Sequence, residues 1–127
     1  MYDHEKLEIW RRSVALLDAM LKAMRAPRRG RTVLPGLRTQ LLRACASIHA
    51  NIAEGGGQVT AAQSARFMDI AIGSTSETQS HLVVASLTGL IAPDKTTEFK
   101  GELGEIRAMS CGFKKWLLRQ PNDENSR

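Results

Sequence analysis

The chain has 127 residues, 43% of them hydrophobic, a net charge of +5 and two cysteines. That length predicts one domain with one core. No apolar run approaches the roughly 20 residues of a bilayer-spanning helix, and the opening MYDHEKLEIW lacks an export pattern, so a cytoplasmic protein without membrane contact is expected.

The first predicted helix covers about residues 4–26. Leu7, Trp10, Val14, Leu17, Leu21 and Met24 recur at alternating spacings of three and four, which draws one apolar seam along it. Pro27 and Gly30 in RAPRRGR end it. Between Arg11 and Arg43 nine basic residues stand against Asp18 alone, a local charge of +8, whereas the rest of the chain sums to −3. An excess of that size attracts polyanions or acidic protein surfaces. Arg25, Arg28, Arg29 and Arg31, clustered at the end of this helix and in the connection after it, are the candidate nucleic-acid-binding residues.

The second helix is predicted over about 34–54, with Leu37, Leu41, Ala44 or Cys45, Ile48 and Ile52 as its seam. It stops at Gly55-Gly56-Gly57. A nucleotide-cradling loop would follow a strand and precede Lys-Ser/Thr, whereas these glycines follow a helix and precede QVTAAQ. The expected role is a tight reversal, with glycines adopting positive φ at the helix end. Glu54 sits at the unfavourable end of the helix dipole, so it is expected to reach the free amides opening the third helix. Asn51 is expected to bond backbone in the loop or on a neighbouring helix.

The third helix is predicted over about 60–91, opened by a Thr60/Gln63 capping box. It carries two adjoining seams, one through Phe67, Ile70, Ser74, Glu77, His81, Val84, Thr88 and Ile91, the other through Met68, Ala71, Thr78, Leu82 and Ala85. Two seams exceed what one bundle core requires, so part of this helix is expected to be covered by another subunit. Antiparallel pairing about the glycine turn brings Arg38, Gln40 or Arg43 near Glu77, and a buried or half-buried Glu77 bond is expected, with Arg43 preferred. Arg43, Asn51, Glu54 and Glu77 thus form the expected structural polar network.

The fourth helix is predicted over about 94–119, with Asp94 as N-cap and Phe99, Leu103, Ile106, Ser110, Phe113 and Leu117 as its seam. Residues 121–127 read as a disordered polar tail. Four long helices and no alternating strand pattern predict an all-α, up-down-up-down antiparallel four-helix bundle over residues 1–120.

No enzyme signature emerges. Glu77 and His81 are four apart, not the three of a di-iron Glu-x-x-His motif, and no second set exists. No catalytic residue, metal or cofactor is expected, and His49 and His81 read as packing or surface residues. Cys45 and Cys111, in apolar surroundings without C-x-x-C spacing, read as reduced structural thiols.

The stretches LEIWRRSVALL, LRTQLLRACASIHANIAEGGG and RFMDIAIGSTSETQSHLVVASLTGLI resemble the four-helix-bundle proteins encoded by intervening sequences within bacterial 23S ribosomal RNA genes. The resemblance covers about residues 5 to 118 and centres on Gln40, Arg43, Ser47, Ile48, Asn51 to Gly55, Gly73, Ser74 and Glu77. It implies a homo-oligomer of five bundles and an RNA-related role, and brings no catalytic residues. The architecture is also similar to the accessory variability determinant protein of diversity-generating retroelements, which implies RNA or a nucleic-acid enzyme as partner. Gln58, where the family often has a basic residue, argues against phosphate contact at the glycine turn. The missing acidic residue before LPGLRTQ makes the basic end more basic. An oligomeric scaffold for an acidic protein partner is the alternative, since six aromatic residues offer little to stack on bases.

Overall fold

The computed structural model describes residues 1–26 and 34–121. Among them there is no strand. Four α-helices, α1 (Glu8–Ala23), α2 (Leu37–Gly56), α3 (Ala61–Thr88) and α4 (Pro93–Arg119), follow a short 3-10 turn at His4–Lys6. The helices touch in a cycle. α2 packs most extensively on α3, then α3 on α4 and α1 on α2, while α1 meets α4 sparsely.

Each boundary has a local cause. Asp3 accepts the Glu5 amide at 3.1 Å and holds the opening 3-10 turn, and extended Leu7 separates that turn from α1. α1 ends at Ala23, three residues before the expected stop, because Met24 is already extended and the Arg25 amide bonds the Leu90 carbonyl at 2.9 Å. Gly36, at φ 82°, opens α2 later than expected. The Thr60/Gln63 capping box is present in both halves. Gly89, at φ 79°, closes α3 before Ile91, which is buried as an anchor for the loop. At α4, Pro93 takes the first turn and Ala92 is the cap, so Asp94 lies inside the helix rather than capping it.

The expected seams of α2 and α4 are the buried ones, apart from Phe113, which is half-buried. α3 buries its second seam, from Met68 to Ala85, and leaves the first partly open, with Ile70 51% exposed. In α1 the fully buried line is Ile9, Ser13, Leu16 and Met20, one step around from the expected seam. That seam is only half-buried, and its Leu21 is 50% exposed. Small hydroxyl residues complete the core. Ser13, Thr75 and Thr78 each return a 2.6 Å hydrogen bond to a carbonyl of their own helix, which satisfies them without a cross-helix partner. No described helix is long and apolar enough to cross a membrane.

Candidate functional site

The triple glycine is a close-approach device, and the positive φ expected of it is absent. Among the described residues only Gly36 and Gly89 have positive φ, and α2 winds on through Gly55 and Gly56. Both glycines are buried under Tyr2. A β-carbon on Gly55 would lie 2.5 Å from the Tyr2 hydroxyl and 3.2 Å from the Ser64 carbonyl oxygen, and one on Gly56 would lie 2.6 Å from the Tyr2 carbonyl oxygen. The space they leave lets Tyr2 Oη donate to the Ile52 carbonyl at 2.5 Å while its ring meets Phe113 edge-on at 5.1 Å. Burial pushes the Tyr2 phenol up to about 12. Ser64 donates to the Gly55 carbonyl at 2.7 Å and pins α3 to the same spot.

The polar network is not the one expected. Glu77 and Arg43 are both exposed and do not bond; Glu77 Oε1 instead lies 3.8 Å from His81 Nε2, one turn along α3. The cause is the face each side chain occupies: Ser47 faces Ser74 and Gly55 faces Ser64, a register that sets Arg43 level with Glu77, but both stand on the solvent side of their helices. The side-chain to side-chain bond between α2 and α3 is made instead by two serines, whose Oγ atoms lie 2.9 Å apart. Asn51 turns back within its own helix, donating to the Ser47 carbonyl at 2.8 Å and to Ser47 Oγ at 2.9 Å. Glu54 is exposed, and the α3 amides it was expected to meet are served by Thr60 and Gln63. The spacing of Ser47 four residues before Asn51 was the sequence signal for this cluster.

Arg12 was equally unforeseen. It projects from α1 across to α4, where Nε donates to Glu102 Oε2 at 2.9 Å, Nη2 to Glu102 Oε1 at 2.5 Å, and Nη2 also to Glu105. These hydrogen bonds hold the guanidinium charge more firmly and depress the Glu102 carboxyl below the usual carboxylate range. Beside this fork, Ala15, Ala19 and Gly101 are too small to close the α1/α4 seam, leaving a groove of about 400 Å³ floored by Leu16 and Phe99.

At the other end of α1, Arg25 is engaged within the fold. Its Nε and Nη2 donate to the Gly89 carbonyl at 3.2 and 3.0 Å, satisfying the C-terminus of α3, while its own carbonyl accepts from Arg38 Nη2 at 3.4 Å. Arg28, Arg29 and Arg31 lie outside the described residues. Of the remaining arginines of the basic segment, Arg11, Arg38 and Arg43 are exposed, and none pairs with a carboxylate among the described residues.

Burial lowers the His49 imidazole below its ordinary range and raises the Cys45 thiol to about 12; Cys111 is half-buried. The sequence profile of the 23S rRNA-intervening sequence protein matches residues 5–112. No curated protein matches the chain.

Proposed function

The chain belongs to the 23S rRNA-intervening sequence protein family, and from that premise we propose a non-enzymatic, cytoplasmic assembly module that binds RNA through its basic segment. The helices form an up-down-up-down antiparallel bundle. Pairings such as Ser47 with Ser74, Asp69 with Lys114, and Arg25 with Gly89 support that order. Five bundles assemble about a rotation axis. The open first seam of α3, with Ile70 half exposed, supports a second chain covering that helix.

The observation that carries the RNA reading is charge. A local +8 lies between Arg11 and Arg43, and five copies multiply the field on one assembly. Contact is mainly with phosphates, because the aromatic residues are few and Trp10, Phe99 and Phe113 pack against the core.

The test is a titration of labelled structured RNA at low and moderate salt, comparing the wild type with a combined Arg28→Gln, Arg29→Gln and Arg31→Gln variant. Three neutralised phosphates predict a loss of about 20- to 40-fold in affinity between roughly 50 and 200 mM salt, flattened in the variant. No binding at low salt, or binding indifferent to the triple change, removes the RNA reading and leaves a scaffold for an acidic protein partner.

A further inference from the structure

We propose that the exposed ring of Trp116 is a stacking site for an unpaired base of RNA. The inference rests on the RNA reading above and names the part of the nucleic acid that this end of α4 takes. A side chain on a helix leans back toward the N-terminus, over the residues three and four positions before its own. For Trp116 those are Phe113 and Gly112. Phe113 stacks under the indole at 5.6 Å and 14°, and is itself braced edge-on by Tyr2 at 5.1 Å. Gly112 adds no side chain, and a β-carbon built there would have no neighbour within 4 Å. One face of the indole is thus held by Phe113, yet the residue is 46% exposed, which leaves the other face open. A flat ring fixed on one side and free on the other is what a base needs to stack.

The surroundings select the occupant. After Glu105, α4 carries Arg107, Lys114, Lys115 and Arg119 and no carboxylate. Lys114 is taken by Asp69 at 2.6 Å, whereas Lys115, next to the ring in sequence, and Arg119, one turn beyond it, are exposed and pair with no carboxylate among the described residues. A base on the indole brings its flanking phosphates within reach of both cations. Leu118, the other exposed apolar side chain in this turn, points about 160° away around the helix. The ring therefore stands among cations and not in one apolar patch with Leu118, which suits a polyanion better than the charge-depleted core of a protein interface. Bases inside a duplex keep both faces covered, so the ligand is single-stranded.

Indole emission is the readout. A single-stranded oligouridine of about 10 nucleotides at low salt quenches the wild-type emission, whereas an abasic chain of the same length, which keeps the phosphates and lacks the bases, does not. The quench is absent from Trp116→Phe, whose remaining tryptophan, Trp10, packs against the core. Trp116→Ala weakens oligouridine binding by about 5- to 100-fold, read by anisotropy of a labelled strand, and Trp116→Phe recovers part of that loss because a smaller ring still stacks. Lys115→Gln combined with Arg119→Gln lowers the slope of log affinity against log salt by about 1.4. Duplex RNA binds Trp116→Ala as it binds the wild type. Duplex RNA that binds while oligouridine leaves the emission unchanged overturns the stacking site alone, and failure of both RNAs to bind at low salt overturns it together with the RNA reading. A Trp116→Ala variant whose solution mass drops while its oligouridine affinity holds gives the ring to a second chain of this protein, and equally ends the proposal.

Discussion

Glycine is worth different things at different places in this chain. At Gly56 the missing β-carbon would collide with backbone, the Tyr2 carbonyl at 2.6 Å, which cannot swing aside as a side chain could. Gly56→Ala therefore destabilises by about 1–3 kcal/mol, read as a lower melting temperature. At Gly101 nothing lies within 4 Å, so Gly101→Ala gains about 0.5–1 kcal/mol from helix propensity alone. Equal shifts in the two variants would contradict this account. The two thiols also diverge by environment. Buried Cys45, its pKa raised to about 12, stays unmodified when the native protein meets iodoacetamide. Half-buried Cys111 is the thiol that reacts, so mass spectrometry shows one rapid adduct per chain, lost in Cys111→Ser.

Between elements, the α1/α4 contact leans on the Arg12 fork because Ala15, Ala19 and Gly101 leave so little else to pack there. Folding depresses the Glu102 pKa, so its contribution is present above the ordinary carboxylate range and drains away as pH falls through the folded value. Melting curves down an acid series are thus steeper for the wild type than for Glu102→Gln, with the wild-type advantage confined to the neutral side. The helix count and the seams of α2 and α4 were readable from periodicity, since each carries a single apolar stripe. α1 and α3 carry two stripes each, and periodicity does not say which one a neighbour will choose. Nor could it set the α2/α3 register, because three glycines read as a stop when two of them are helix made thin enough for Tyr2. Arg12 escaped notice because Glu102 and Glu105, the carboxylates it grips on α4, lie 90 or more residues away in sequence.

For the whole molecule, the proposed assembly rests on the partly open first stripe of α3. Ile70→Arg puts a charge on that stripe, where a partner would have to desolvate it. The expected outcome is a drop in solution mass toward the 14.0 kDa chain, with the unfolding free energy of the single bundle changed by no more than about 0.5 kcal/mol. An unchanged mass would place the assembly face elsewhere. The expected polycation was legible in the sequence as a run of arginines, but not the division of labour inside it, since a guanidinium bound to a carbonyl and one facing solvent look alike in one-letter code. Arg25 belongs to the first kind, held at short range by one neutral oxygen, the Gly89 carbonyl at the α3 terminus. Brine that strips arginines from phosphates leaves such dipolar bonds nearly alone. The latch between α1 and α3 should thus outlast salt that would release any RNA, so the two helices stay joined under conditions that dissolve phosphate contacts.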